Sequence, residues 1–218
     1  MSEPKVLVGI PSIGTIDPMF LACAMELRRP PGTKVAIPSR VVTDQARNSV
    51  VEYALNEKFT HVLFIADDVL FPPSLLELLL AHSLAHPALA GIAGMVYARH
   101  HPHHPCAFTR KPNTPLFIPV KPEGEGVLKV DAIATAAAIF PVWAFEKVGF
   151  PWFEYLYIGN NRFTEDIAFC LKLNDMGFKF GVDLDLNLGH LGDRVPVKKA
   201  TYLEACKPSI ENPKILAP

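Results

Sequence analysis

The sequence predicts an α/β protein built on a mostly parallel central sheet. Three observations predict it. Short β-branched and aromatic runs recur at residues 5–10, 33–37, 60–66 and 88–98. Segments with apolar residues at helical spacing separate them, and proline or glycine punctuates the junctions. Strand–helix alternation of this kind gives parallel strands joined by right-handed crossovers. Half of the 218 residues are hydrophobic, which supplies a sizeable core for one large domain or two small ones.

The elements follow in order. Residues 5–10 (KVLVGI) form a strand by composition, and Pro11, Ser12 and Gly14 turn the chain at its end. Asp17-Pro18 reads as an N-cap followed by proline in the first turn, opening a helix to about Arg29. Pro30, Pro31 and Gly32 stop it, and residues 33–37 form a second strand. Thr43 or Asp44 caps the next helix, in which Ala46, Val50, Val51, Ala54 and Leu55 share an apolar face. The third strand, residues 60–66, runs into two adjacent carboxylates, Asp67 and Asp68. Ser74 and Glu77 have the spacing of a capping box ahead of a leucine-rich helix. Residues 88–98 give a fourth strand in which Gly91 and Gly94 allow close backbone approach.

From 99 to 126 the alternation breaks into a segment rich in proline and histidine, too long for an ordinary connection. His100, His101, His103 and His104 are interrupted by Pro102 and have no carboxylate among them. They read as a mobile, pH-sensitive loop over a ligand rather than as a metal site. Strands return at 127–130 and 133–140, a short helix at 142–148 ends at Gly149, and Thr164 caps a helix running from Glu165 to Met176, stopped by Gly177. A late strand at 178–183 leads to a glycine-flanked His190, and residues 193–218 read as a surface tail.

Acids and bases balance to a formal net charge of −1, so there is no whole-chain footprint for non-specific nucleic-acid binding. Cys23, Cys106, Cys170 and Cys206 follow no zinc or redox spacing. No targeting segment is recognised, and the longest apolar run, 132–145, is broken by Pro141 and shorter than the roughly 20 residues of a spanning helix. A soluble, reducing, cytoplasmic setting is expected. There is no G-x-G-x-x-G after the first strand and no G-x-x-x-x-G-K-[ST], so a dinucleotide Rossmann site and a Walker phosphate loop are disfavoured.

The chemistry centres on Asp67 and Asp68. Ligands of open α/β sheets sit at the carboxyl ends of strands. Two adjacent carboxylates at such a point repel each other unless a cation or hydrogen-bond donors neutralise them. A solvated acidic turn is the competing reading. Glu165 and Asp166 lie in a first helical turn, where the helix dipole favours acids whatever their chemistry. Arg47 lies near a helix start. Trp152 and Phe153 read equally as core aromatics or as a stacking platform.

Several of these pieces, taken in order, resemble the family 2-like glycosyltransferases of GT-A fold. They are Pro11-Ser12, Ala46-Arg47-Asn48, Phe64-Ile65-Ala66-Asp67-Asp68, Gly149-Phe150-Pro151-Trp152-Phe153, Thr164-Glu165-Asp166 and Gly189-His190-Leu191-Gly192. The resemblance implies a single GT-A domain over residues 1–192, with a nucleotide-binding half at 1–98, an acceptor-side half at 99–192 and a tail beyond. It implies that Asp67 and Asp68 stand for the D-x-D-type motif, with Ala66 where many members carry the first aspartate. By the same resemblance, Asp68, His190 and Asp67 hold Mn2+ or Mg2+. Pro11, Ser12, Arg47, Asp67 and Asp68 bind the nucleotide-sugar, a UDP-sugar being favoured. Asp166, beside Glu165, resembles the catalytic base of inverting members, and Trp152 and Phe153 fall on the acceptor side. The activity so implied is transfer of a sugar from a nucleotide diphosphate sugar to an acceptor hydroxyl. A non-catalytic nucleotide- or sugar-binding domain of the same fold and a nucleotidyltransferase are the alternatives. The chain is short for the family, so either the acceptor is small or a partner supplies the missing surface, and an oligomer is left open.

Overall fold

The computed structural model describes residues 3–192 and 196–205. In chain order the first half runs β1 (Val6–Gly9), α1 (Pro18–Glu26), β2 (Lys34–Ala36), α2 (Thr43–Asn56), β3 (His61–Ile65), β4 (Val69–Leu70), α3 (Leu75–Ala85) and β5 (Leu89–Met95). It continues with β6 (Ala107–Arg110), β7 (Phe117–Pro119), β8 (Val127–Val130), β9 (Ala132–Ile133), β10 (Ala137–Pro141) and α4 (Val142–Val148). The remainder is β11 (Leu156–Ile158), β12 (Asn161–Phe163), α5 (Glu165–Asp175), β13 (Lys179–Asn187), β14 (Gly189–Leu191), β15 (Pro196–Val197) and α6 (Lys199–Ala205).

The central sheet has seven strands in the order β2-β1-β3-β10-β5-β13-β8. β1 pairs in parallel with β2 and β3, and β5 pairs in parallel with β13. β10 is antiparallel to both β3 and β5, and β8 is antiparallel to β13. Five of the seven strands therefore run one way and two the other. The molecule is a mixed α/β protein, and its sheet draws strands from both halves of the chain. The expected succession of adjacent parallel strands is corrected at one place: β10 is inserted between β3 and β5. Its five residues are all buried, so it serves as a central strand covered on both faces.

Side chains alternate across the sheet with the period-2 geometry of a strand. Leu7, Val62, Phe64, Ala138 and Phe140 face one core, with Val50, Val51 and Ala54 of α2, Phe145 of α4 and Phe169 of α5. Val6, Val8, Leu63, Ile65, Ala137 and Ile139 face a second core, with Phe20 of α1 and Leu75, Leu76, Leu79 and Leu80 of α3. Helices thus cover both faces. Phe64, Phe140, Phe145, Phe153 and Phe169 form a connected aromatic cluster, with ring centroids 5.0–6.3 Å apart in the contacting pairs.

Local signals fare unevenly. Asp17 caps α1, its carboxylate accepting from the Met19 amide at 2.7 Å. The α2 cap expected at Thr43 or Asp44 is not made: the helix starts at Thr43 and Val42 precedes it in extended geometry. The Ser74–Glu77 box is also not made. Ser74 already has helical dihedrals, and Glu77 pairs instead with Arg28 at 2.7 Å. Gly177, at φ +88, turns the chain out of α5 in a conformation that costs other residues. The segment 99–126, expected to be irregular, is partly built. A bridge joins Tyr97 to Pro105, and β6 pairs with β7 and β9 in a small sheet. In the expected tail, β15 pairs with β14, and Tyr202 of α6 stacks on Tyr97. Residues 193–195 and 206–218, with Cys206, lie outside the described residues. Among those described, no helix is long and apolar enough to cross a membrane.

Gly91 offers a direct test of the packing between β5 and β10. A Cβ placed there would lie 2.5 Å from Cδ1 of Phe140, a fully buried ring within the aromatic cluster. Gly91→Ala should lower stability by about 1–3 kcal/mol through overpacking, read as a lower urea midpoint with an unchanged slope.

Candidate functional site

The carboxyl ends of β1 and β3 and the start of α5 converge on one cleft of about 490 Å³. Pro11, Ser12, Arg47, Asp67, Asp68, Asp166 and His190 all line it. These side chains come from five separate segments of the chain.

Asp67 and Asp68 occupy the turn after β3. The turn is held by the Ala66 amide on the Ala136 carbonyl at 2.8 Å and by the Val69 amide on the Ala66 carbonyl at 3.1 Å. β4 follows at once and pairs with β14, setting Val69 opposite His190. The Leu191 amide donates to the Asp68 carbonyl at 2.7 Å. This pairing carries the His190 ring to Asp68, with Nε2 3.4 Å from Oδ2. His190 Nδ1 lies 2.8 Å from the Tyr97 carbonyl. A carbonyl only accepts, so Nδ1 carries a proton and Nε2 is turned toward the carboxylate. Neutral Nε2 and ionised Asp68 would both present lone pairs, an arrangement that calls for a proton or a cation between them. Fixing a histidine through its far nitrogen is also how metal-ligating imidazoles are oriented.

Arg99 reaches the same carboxylate, its guanidinium 3.0 Å from Asp68 Oδ2. Burial pushes the Asp68 carboxyl up, but its hydrogen bond and charge contact with His190, with Arg99 behind them, outweigh it and hold the group below its ordinary value. Asp67 Oδ2 is buried without any hydrogen-bond partner. Among the described residues no three His, Cys, Asp or Glu side chains are arranged to hold a metal. A divalent ion here would take Asp68 and His190 from the protein and its other ligands from phosphate oxygens and water. That mixed oxygen and imidazole set suits manganese better than magnesium.

Arg47 of α2 and Asp166 of α5 also line the cleft. Arg47 and Glu165 form a buried ion pair, with 10% and 7% of the side chains exposed. Burial raises the Glu165 carboxyl above its usual range and Asp166 adds to this, while Arg47 opposes it. Asn48 clamps the Phe153 backbone, donating to its carbonyl at 2.8 Å and accepting from its amide at 2.9 Å. Asp166 is held by one oxygen. Oδ1 accepts from the Thr164 hydroxyl at 2.6 Å and the Ile167 amide at 2.8 Å, whereas Oδ2 has only the Thr135 amide at 3.4 Å. Thr164 therefore spends its hydroxyl on Asp166 rather than on a helix amide.

Not every expected site residue lies in the cleft. Glu165, expected beside Asp166 in the catalytic pair, is committed to Arg47 and does not line the cavity. Trp152 and Phe153 are core residues, 8% and 0% exposed, and offer no stacking platform. The Trp152 indole donates to the Phe145 carbonyl at 3.1 Å, and Phe153 joins the aromatic cluster. Ser12 lines the cleft but turns its hydroxyl to the Gly14 amide at 3.1 Å. Two residues were missed. Arg99 follows directly on the fourth apolar run, and a basic residue leaving a strand at the ligand edge was the available signal. Cys106 also lines the cleft; burial and the charge of Asp166 push its thiol up to about 12, so it stays protonated. A cavity of about 510 Å³ at the amino ends of β5 and β13 is lined by Lys129, Lys147, Lys179, Trp143 and Phe178 but has no carboxylate.

Sheet and cleft together define a mixed α/β protein with an acidic site at its strand ends. No family model and no curated protein matches the chain. Among solved structures it is similar to A197 from STIV, with a TM-score of 0.61 and 17% identity over 89% of this chain and 93% of that one. At that identity the likeness is one of fold.

The buried pair gives a measurable cost. Arg47→Met strands the Glu165 carboxylate and should destabilise by about 3–5 kcal/mol, whereas Arg47→Met with Glu165→Leu should recover most of the loss. Equal urea midpoints for wild type and the single variant would show that the pair is not desolvated.

Proposed function

We propose that the chain is a metal-dependent glycosyltransferase of GT-A type that moves a sugar from a nucleotide diphosphate sugar, UDP-linked, to an acceptor hydroxyl with inversion. One observation carries this reading: Asp68 and a tautomer-fixed His190 face each other across 3.4 Å in a cleft that Asp166, with one open oxygen, also lines. The first pair suits a cation on a diphosphate, and the second suits a proton acceptor. The fold supports the reading only at the level of architecture, because one fold hosts many chemistries.

The residues divide the work as follows. Asp68 and His190 would hold Mn2+ or Mg2+, with Asp67 alongside. That ion, when bound, would neutralise charge growing on the leaving phosphate oxygen. Pro11, Ser12 and Arg47 line the end of the cleft assigned to the nucleotide. The acceptor oxygen attacks the anomeric carbon and its proton passes to Asp166 Oδ2. The bond from that carbon to the phosphate oxygen breaks, and its electron pair leaves with the nucleoside diphosphate. Thr164 and the Ile167 amide keep Asp166 aimed by occupying its other oxygen. With Trp152 and Phe153 in the core, the acceptor surface must come from elsewhere on the cleft rim or from a partner. The free thiols of Cys23, Cys106 and Cys170 accord with a reducing, cytoplasmic setting.

A second reading rests on Ala66, which lines the cleft where a further carboxylate would complete a fuller motif. On that reading the domain binds the nucleotide-sugar without turnover. The experiment is a thermal-shift series with UDP, GDP, CDP and their sugars, with and without Mn2+. Stabilisation by one nucleotide only in the presence of metal is expected, and no shift with any nucleotide would contradict the reading. Asp166→Asn should then lower transfer by roughly 10²–10⁴-fold while donor binding persists. Undiminished transfer would remove Asp166 as the base, and no transfer by the wild type with any acceptor would favour the binding domain.

A further inference from the structure

Arg99 and a bound metal would claim the same atom. The Arg99 guanidinium lies 3.0 Å from Asp68 Oδ2, and that oxygen is also the one facing His190 Nε2. A guanidinium only donates hydrogen bonds and never ligates a cation. With Arg99 in this position the carboxylate is already neutralised, and a divalent ion entering between Asp68 and His190 meets a fixed positive charge. The backbone behind Arg99 is tied down. The Ala98 amide bonds the His104 carbonyl, the His103 amide bonds the His100 carbonyl, and His103 Nδ1 meets the Ala98 carbonyl, each at 2.8–2.9 Å. Tyr97, two residues earlier, is the residue whose carbonyl fixes His190. One short run, Tyr97-Ala98-Arg99, therefore orients the imidazole and supplies the competing charge. The Arg99 side chain is 49% exposed within the cleft, so it can leave Asp68 without disturbing the core.

We infer that Arg99 is an exchangeable counter-charge that couples metal entry to the arrival of a nucleoside diphosphate. Without the nucleotide it occupies Asp68 and weakens binding of the free ion. When the diphosphate enters with its metal, the metal takes Asp68 and the guanidinium transfers to phosphate oxygens, which its planar fork fits in bidentate fashion. Arg99 is then a positioning and specificity residue that distinguishes a metal–diphosphate complex from the metal alone. This inference rests on the metal–diphosphate reading of the cleft.

The test is binding of Mn2+ and UDP to the full chain, followed by the paramagnetic resonance of free Mn2+ and by calorimetry, with wild type, Arg99→Gln and Arg99→Lys. Arg99→Gln should bind Mn2+ alone about tenfold more tightly than wild type and, in saturating Mn2+, bind UDP about tenfold more weakly, within the usual range of coupling between sites. The opposite signs are diagnostic, since misfolding or a structural role would weaken both. Arg99→Lys, which keeps a cation, should follow the wild type in both. If Arg99→Gln leaves binding of Mn2+ alone unchanged or weaker while Mn2+ and UDP still bind together, the exchange is overturned and the metal–diphosphate reading stands. If wild type and Asp68→Asn alike take up no Mn2+ even with UDP, that reading fails and the exchange fails with it.

Discussion

A carboxylate taken out of water needs a counter-charge beside it, and in this protein that requirement joins the two halves of the chain. Glu165 opens α5 and Arg47 lies in the first turns of α2, 118 residues earlier, yet the two meet in a nearly closed interior. Breaking one partner of such a pair is costly because the other charge is left stranded. The pair therefore holds the start of α5 against α2, and the residue after Glu165 is Asp166. Asn48, next to Arg47, adds a second fastening by gripping both polar groups of the Phe153 backbone. Beneath them the Phe153 ring sits in the aromatic cluster, with the Arg47 guanidinium 5.8 Å above its centre. The direction in which Asp166 presents its open oxygen is thus inherited from a buried ion pair of which Arg47 lines the cleft and Glu165 does not.

The part of the cleft around Asp68 and His190 is organised by strand pairing rather than by a buried charge. β3 delivers Asp67 and Asp68, and the chain then folds straight into β4, which β14 joins. That short ribbon brings a histidine from near the end of the described chain to a carboxylate 122 positions earlier. The Tyr97 carbonyl decides which nitrogen of the ring faces the carboxylate. The buried ion pair and the strand ribbon thus hold Asp166, Asp68 and His190 in place around the cleft. Preorganised donors and charges are worth more than mobile ones because they cost no rearrangement when charge develops.

Much of this arrangement could be read from the residue pattern, and what could not has identifiable causes. β1, β3 and the helices α2 and α3 announce themselves because burial on both faces or on one stripe leaves a periodic record. The site's first carboxylates were visible because two acids at a strand end are electrostatically unusual. The place of β10 was hidden, since a run such as AAIFP can enter a sheet beside any strand that offers two covered faces. Ser74 and Glu77 carry the spacing of a capping box, but Arg28 competes for the glutamate from another part of the chain. Trp152 and Phe153 show the limit of residue type alone: an aromatic in a core and an aromatic in a platform have the same sequence signature. Arg99 was obscured by the proline- and histidine-rich stretch it introduces, and only the return of that stretch to Tyr97 places it on Asp68.

In the proposed function Asp68 and His190 together would hold a divalent cation on a nucleoside diphosphate. The most direct measurement is anomalous diffraction at the manganese edge from crystals of the protein grown with Mn2+ and UDP. A single strong peak within ligand distance of Asp68 and His190 Nε2 is expected, with the diphosphate completing its coordination and Arg99 withdrawn from Asp68. A nucleotide bound without a metal peak there, or a peak elsewhere with Asp68 still paired to Arg99, would contradict it.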